Sequence, residues 1–153
     1  MIKVINNTDY PTREVARLTR KALSYLDITH GVTVTVHYRK RTDADPRGRH
    51  VAGWYRNYWY PSRGEHGPQI RTGLSRPDVA PAPYHPYTRK GESGQVFDLA
   101  DWREQLVAIV AHEGMHHRQG RRRNGDGGFR EVDCDLAAYR AVGYLREDEK
   151  RAA

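Results

Sequence analysis

The hydrophobic pattern changes its period along the first forty residues, and each change predicts an element. Residues 11–31 carry apolar side chains at helical spacing, whereas residues 32–39 carry them at every second position, as in a strand with one buried face. The helical positions are Val15, Leu18, Ala22 and Leu26, and the strand positions are Val32, Val34, Val36 and Tyr38. A shorter apolar run, Ile2–Ile5, predicts an earlier strand. We therefore expect strand, helix and strand, with Pro11 at the first helical position and His30-Gly31 at the end of the helix.

The central part of the chain is rich in aromatic residues and then in proline. Val51–Tyr60 contains five Trp and Tyr residues and predicts an aromatic strand, and Gln69–Leu74 predicts a third short strand between Gly and Pro signals. Residues 75–96 favour an irregular loop over another regular element, because they contain four prolines. These are Pro77, Pro81, Pro83 and Pro86.

Helical spacing returns after residue 100. Asp101 followed by Glu104 has the spacing of a capping box, with Asp in place of the usual Ser or Thr. Trp102–His117 then predicts a helix that is buried on most sides, because its centre is almost entirely apolar. We expect a mobile loop rich in Gly and Arg over Gln119–Gly128, followed by a final helix over Phe129–Leu145. The apolar positions of that last helix include Leu136, Tyr139, Val142 and Leu145.

Length, cysteine content and charge narrow the class of protein. The 153 residues fit one domain over 1–153, and no apolar run approaches the roughly 20 residues that span a bilayer, so we expect no membrane partner. The one cysteine, Cys134, argues against a disulfide framework or a multi-Cys zinc ribbon. It predicts a reducing, cytoplasmic setting, in which Cys134 packs as a small hydrophobic residue. The net charge of +7 favours anionic partners, and Arg121-Arg122-Arg123 is the densest basic cluster.

The apolar helix also contains the pattern His-Glu-x-x-His, as His112-Glu113-Gly114-Met115-His116. Four residues advance a helix by about 400°, so both imidazoles lie on one face and can reach one zinc ion. Glu113 is turned by about 100° from His112, where its carboxylate can reach a metal-bound water without being a ligand itself. Chance gives about 0.02 occurrences of this pattern in a chain with eight His and eight Glu. The motif therefore predicts a metal centre rather than a His-rich solvent face.

A third protein ligand is expected downstream of this motif. The final helix opens with Glu131-Val132-Asp133-Cys134-Asp135, fifteen residues after His116. Glu131 and Asp135 lie four positions apart on one helical face, so Glu131 can complete a His-His-Glu set while Asp135 accepts the second ring N–H of a ligand histidine. The compact gap also leaves Asp133 or Asp135 as an aspartate third ligand.

With both motifs together, residues 99–145 resemble the gluzincin metallopeptidases, in which His-Glu-x-x-His is followed by Glu-x-x-x-Asp. The order of the upstream elements is similar to that of minimal SprT-like domains and, more loosely, of ImmA/IrrE-type peptidases. The resemblance implies an α+β, zincin-like fold: a small, twisted, mostly antiparallel sheet with an N-terminal helix, the motif helix and a C-terminal helix. It also implies zinc-dependent hydrolysis of peptide bonds. In that assignment His112, His116 and Glu131 hold Zn²⁺, Glu113 is the general base and Asp135 orients a ligand.

Four further features complete the predicted cleft. The resemblance implies that a protein or peptide substrate pairs with an edge strand, for which Gln69–Leu74 is the candidate. Tyr139, eight residues beyond Glu131, is the candidate catalytic donor to an oxyanion, with a buried core tyrosine as the alternative. Gly114 departs from the family, in which a larger residue is common, and glycine weakens a helix by about 1 kcal/mol. His117 faces elsewhere on the helix and is expected to be accessory or exposed.

Two other classes of function stay open at this point. The net charge, the Arg triplet and aromatic residues such as Trp54, Tyr55 and Trp59 are typical of a basic module that associates weakly with nucleic acid. A structural or regulatory zinc domain without proteolysis would use the same ligands. Glu113 discriminates, because only a catalytic site loses turnover on Glu113→Gln. The basic loop Arg118–Arg123 can either steer an acidic substrate or be a solvated run of charge.

Overall fold

The computed structural model describes residues 1–40, 53–56, 67–86, 96–119 and 127–153, which contain three helices and four strands. In chain order they are β1 (Lys3–Asn6), α1 (Thr12–Ser24), β2 (Thr33–Tyr38), β3 (Gly53–Arg56), β4 (Gln69–Leu74), α2 (Trp102–Gln119) and α3 (Gly127–Ala152). This order is the predicted one. The rest of the predicted aromatic strand, most of the predicted Gly- and Arg-rich loop and the Arg121-Arg122-Arg123 cluster lie outside the described residues. Of the described helices, none has the length and apolar character needed to cross a membrane.

The directions of the strands correct one expectation. The sheet has the order β1-β2-β4-β3, in which β1 pairs with β2 and β2 with β4 in parallel. Of the described strands, only β3 is antiparallel to its neighbour. The fold is α+β, but the prediction of a mostly antiparallel sheet is wrong. The reason lies in the connection, since α1 carries the chain back across the sheet between β1 and β2, as parallel neighbours require.

The position of β4 corrects a second expectation. Residues 33–38 of β2 pair with 69–74 on one side of β4, and residues 53–56 of β3 pair with 69–72 on the other. Gln69–Leu74 is thus an interior strand whose backbone groups are used on both sides, and it cannot take a peptide as an added strand. Among the described strands, β3 lies at that end of the sheet.

The sheet buries one face under the helices. Val34 of β2 lies beside Ile70 of β4, and both are fully buried, whereas the neighbouring pair, Thr35 and Arg71, points to the other face. Alternation along the strands produces this division, as the period of two predicts. One hydrophobic cluster joins the buried face to α1, α2 and α3, and α3 packs mainly against α2.

α1 ends at Ser24, well before the predicted end. Asp27 adopts a left-handed backbone conformation (φ 58°), and the Ile28 N–H donates back to the Leu23 carbonyl at 3.0 Å. This is the Schellman arrangement that ends many helices, here with Asp where Gly is commonest. It folds Leu26 and Ile28 onto the core, so the apolar periodicity continues past the last helical residue.

α2 begins as the capping pattern predicts. Asp101 Oδ1 accepts hydrogen bonds from the backbone N–H groups of Arg103 (3.0 Å) and Glu104 (3.1 Å). The Glu104 carboxylate in turn accepts from the Ala100 N–H at 3.0 Å and from Arg146 Nη2 of α3 at 2.7 Å. The predicted cap is confirmed, and the same glutamate ties the start of α2 to α3.

α3 continues to Ala152, beyond the predicted end at Leu145. Leu136 and Tyr139 are exposed, so two of the four predicted apolar positions do not face the core. Small residues take their place against α2: Cys134, Ala137, Ala138 and Ala141. Because small side chains let helices approach closely, the acids of α3 come near the histidines of α2.

Candidate metal centre

α2 presents the two motif histidines on one face, and α3 meets them with a carboxylate. The ring centroids of His112 and His116 lie 5.0 Å apart. Glu131 Oε2 is 3.2 Å from His112 Nε2, and Glu131 Oε1 is 2.9 Å from His116 Nε2. The three side chains predicted to be metal ligands are therefore brought together, and both imidazoles turn the same nitrogen to one carboxylate.

This donor set fits a divalent cation. Each hydrogen bond to Glu131 needs a proton on Nε2, and removal of those two protons leaves two imidazole lone pairs facing a carboxylate. Two His and one Glu are a set that zinc takes in sites that keep a fourth position for solvent. The geometry is thus compatible with His112, His116 and Glu131 as ligands of one ion.

The far side of the His112 ring is held by Asp135 and Tyr84. Asp135 Oδ1 lies 3.0 Å from His112 Nδ1, where an orienting acid is expected. The Tyr84 hydroxyl lies 2.8 Å from the same nitrogen and donates to Asp135 Oδ1 at 2.7 Å. Sequence reasoning misses Tyr84, because it lies in the Pro-rich segment, 28 residues before His112, and belongs to no motif.

The other two acids of this turn make different contacts. Asp133 is exposed and accepts a hydrogen bond from Gln119 Nε2 at 3.3 Å. Asp135 contacts Nδ1 of His112 rather than Nε2. Glu131 contacts the Nε2 atoms of both imidazoles, and the geometry therefore favours it as the third ligand.

Cys134 is a further donor close to the same imidazoles. It is buried, as predicted, and its thiol donates to Gln119 Oε1 at 3.7 Å. Its sulfur and one ligand atom each of His112 and His116 all lie within 4.8 Å of one another. Burial and the surrounding carboxylates, Glu131 first among them, raise the pKa of the thiol. Cys134 packs as a small residue here, and it is also the alternative third donor.

Glu113 is buried beside the edge strand β3. A Cβ built at Gly53 would lie 3.2 Å from Glu113 Cγ, 2.8 Å from Ile109 Cγ2 and 2.6 Å from the Arg71 carbonyl oxygen. Only glycine lets β3 approach α2 this closely. Glycine inside a predicted strand is itself a signal of close backbone approach, and it marks a site residue that sequence reasoning misses.

Gly114 has a packing role on the opposite side of α2. A Cβ at this position would lie 2.7 Å from Leu23 Cδ2 and 3.1 Å from Leu26 Cδ1. These leucines belong to the turn that ends α1, so glycine here lets α1 pack closely against the motif helix. Glycine at position 114 therefore accommodates the contact with α1.

Charge and burial shift the pKa values of the site. Burial lowers the pKa of His112, but the hydrogen bonds to Asp135 and Glu131 outweigh it and raise that pKa to about 10. Burial would raise the pKa of Glu131, but the bonds from His112 and His116 hold it well below its usual range. For Glu113 burial is the largest cause, and it raises the pKa of the carboxyl against the opposing charge of the two imidazoles.

Tyr139 and His117 lie at the margins of this centre. Tyr139 is 53% exposed and packs edge-on against Phe97, so the alternative of a buried core tyrosine is wrong. Eight helical residues separate it from Glu131 by roughly 12 Å along α3, and its role as an oxyanion donor stays a prediction. His117 is half-buried, and its Nδ1 shares a hydrogen bond of 2.9 Å with the Tyr55 hydroxyl of β3.

Comparison with known proteins gives no match: no family model, no curated protein and no solved structure corresponds to the chain. The function is therefore inferred from the residues and their geometry.

Proposed function

We propose that the chain is a zinc-dependent metallopeptidase that hydrolyses bonds of a protein or peptide substrate. One observation carries the proposal: the Glu131 carboxylate contacts Nε2 of both His112 and His116, at 3.2 and 2.9 Å, while Glu113 is buried on the same helix. A simple ion pair between Glu131 and the imidazoles would not require Glu113 to be buried as well. Burying a carboxylate without a strong partner costs free energy.

The residues of the centre divide the chemistry among them. His112 and His116 would hold zinc through Nε2, and Glu131 would hold it through its carboxylate. When bound, zinc supplies a Lewis acid that polarises a carbonyl and makes water easier to deprotonate. Glu113 accepts a proton from the attacking water and passes it to the leaving amine. Burial supports both transfers, because it raises the pKa of the Glu113 carboxyl and so makes the carboxylate a stronger proton acceptor.

The edge strand β3 is the proposed place for the substrate, replacing Gln69–Leu74. Gly53 lies on the side of β3 that faces α2, within contact distance of Glu113. A peptide that pairs with β3 on the side away from β4 would run past this carboxylate. Tyr55 is the next inward-facing residue of β3 after Gly53, and His117 lies one turn of α2 beyond Glu113. These two residues are joined by a hydrogen bond, so they line the same path.

Glu113→Gln tests the proposal. Zinc-loaded wild type should cleave peptides from a quenched-fluorescence library, and Glu113→Gln should keep about one zinc per chain while losing turnover by about 10²–10⁴-fold, as removal of a general base does. Glu147→Gln, the same change at an exposed position of α3, is the matched control and should keep turnover. Fewer than about 0.2 zinc per wild-type chain, or full turnover in Glu113→Gln, would contradict the proposal.

The second candidate, a structural or regulatory zinc domain, is favoured by one observation, the proximity of the Cys134 sulfur to the two imidazoles. A Cys134 thiolate that joined His112, His116 and Glu131 as a fourth ligand would give the closed coordination of structural zinc sites. Cobalt(II) loading separates the candidates, because a thiolate ligand adds an intense near-ultraviolet charge-transfer band that Cys134→Ser would abolish. The metallopeptidase proposal expects no such band.

Weak association with nucleic acid stays a prediction. Within the described residues, the Arg71 guanidinium lies 5.0 Å from the ring centroid of Trp54 on the outer face of the sheet. Salt-dependent binding of an RNA or DNA oligonucleotide in the micromolar range would support the prediction, and no shift at about 50 mM salt would dismiss it.

A further inference from the structure

We infer that Tyr84 is a positioning residue of the metal centre, which acts through Asp135 and His112 and couples metal binding to the chain segment around residues 84 and 97. The inference rests on the proposed function for the ligand role of His112. It assigns a role to a residue outside both sequence motifs.

Three polar atoms form a closed triangle on the side of His112 away from Glu131. The Tyr84 hydroxyl is 2.7 Å from Asp135 Oδ1 and 2.8 Å from His112 Nδ1, and the third side, between Nδ1 and Oδ1, is 3.0 Å. These contacts join three separate parts of the chain, since Tyr84 lies 28 residues from His112 and 51 from Asp135.

The triangle restricts where the protons lie. An imidazole that binds a metal through Nε2 carries its proton on Nδ1, and this N–H points at the two oxygens of the triangle. The Tyr84 O–H donates to Asp135, so Asp135 accepts from two sides. A carboxylate with two donors is fixed in orientation and is less able to take the imidazole proton. Tyr84 therefore keeps the His112 ring turned with Nε2 toward Glu131.

Tyr84 can hold this position because its ring and backbone are anchored by contacts that do not involve its hydroxyl. Its ring stacks on Phe97 at 4.7 Å between centroids. The two residues exchange backbone hydrogen bonds of 2.8 and 3.2 Å. Both rings pack against a small cluster formed by Leu99, Ala108, Ala138 and Val142. Because coupling between two sites is reciprocal, an ion that fixes His112 should also tighten the Tyr84–Phe97 bridge.

Tyr84→Phe tests the inference, because it keeps the stacked ring and removes the hydroxyl. We expect zinc affinity, measured by competition with a chelating indicator, to fall by about 10–100-fold, as it does when the partners of ligand histidines are removed. Tyr10→Phe is the matched control: Tyr10 is also a tyrosine stacked on an aromatic ring, that of Trp102 at 4.3 Å, and its hydroxyl donates to the Ser75 carbonyl at 2.6 Å. This control should bind zinc within about twofold of wild type.

A double-mutant cycle identifies the path. If Tyr84 acts through Asp135, adding Tyr84→Phe to Asp135→Asn should weaken zinc binding by less than about twofold. Unchanged affinity in Tyr84→Phe, or full additivity of the two changes, overturns the inference. If His116→Ala binds zinc as tightly as wild type, the proposed function fails first. If His116→Ala loses zinc and Tyr84→Phe does not, only the role of Tyr84 fails.

Hydrogen exchange in the wild-type chain gives a test that does not depend on whether a variant folds. Addition of zinc should slow exchange of the Tyr84 and Phe97 amides, which donate across the bridge. The Asp27 amide, which bonds to the Ser24 carbonyl at the end of α1, is the internal control. Equal exchange at Tyr84 and Phe97 with and without zinc would overturn the coupling.

Discussion

Charged side chains join α2 to α3 near both ends of α2, but the basic groups differ. Near its start the bases are arginines: Glu104 of α2 accepts from Arg146 of α3 at 2.7 and 3.1 Å, and Arg103 of α2 pairs with Glu149 of α3. Near its end the acids belong to α3, and Glu131 and Asp135 contact the imidazoles of α2. Arginine stays protonated at any ordinary pH, whereas an imidazole can give up its proton. The arginine–carboxylate pairs at the start of α2 therefore need no metal. The imidazoles at its end can exchange their protons for a cation.

The largest expected difference between the two ends is in metal affinity. His116→Ala removes one of three donors, and zinc binding should weaken by more than about a hundredfold, which exceeds the usual effect of a residue outside the ligand set. Arg146→Ala, at the other end, should bind zinc within about twofold of wild type. Competition with a chelating indicator measures both. Equal affinities of the two variants would remove the distinction between the ends.

A smaller effect is expected at Gly114, where α2 packs against apolar side chains at the end of α1. Gly114→Val adds side-chain atoms where a Cβ already lies 2.7 Å from Leu23 Cδ2, and such overpacking should lower the free energy of unfolding by about 1–3 kcal/mol in urea denaturation. Gly143→Ala is the control, because a Cβ on this α3 glycine has no neighbour within 4 Å. Helix propensity should then raise stability by up to about 1 kcal/mol. A Gly114→Val protein with the same free energy of unfolding as wild type would refute the close contact with α1.

The smallest effect is expected at Glu104, and it depends on pH. Burial raises the pKa of Glu104, but the Arg146 bonds and the Ala100 N–H outweigh it and hold the pKa below its usual value. The ionised pair therefore contributes stability above the unfolded pKa of about 4.3, and the contribution is lost as the pH falls through the folded value. Glu104→Gln should cost about 1–2 kcal/mol at pH 7 and progressively less in acid. A cost that stays constant from pH 7 to pH 3 would contradict this account.

Local patterns predicted the parts of the fold that neighbouring residues determine. The period of three to four located α2, and the spacing of Asp101 and Glu104 located its start. The direction of the strands could not be read in this way, because parallel and antiparallel strands share the period of two. The end of α1 was misplaced because apolar spacing continues through the turn at Asp27, although the chain is no longer helical there.

The same distinction between local patterns and contacts distant in sequence applies to the candidate site. Helical spacing alone aligned His112 with His116 and Glu131 with Asp135, and the structure brings these four residues together. Tyr84 and Gly53 depend on contacts between segments distant in sequence, and no local pattern encodes such contacts. The Gly in an otherwise aromatic strand was the one available signal.

The most direct test of the central claim is a crystal structure of the zinc-loaded protein with anomalous scattering at the zinc edge. We expect one peak within about 2.0–2.2 Å of His112 Nε2, His116 Nε2 and a carboxylate oxygen of Glu131, with Glu113 outside the ligand set. A peak bound to Cys134 Sγ in place of Glu131, or located away from the two imidazoles, would contradict it.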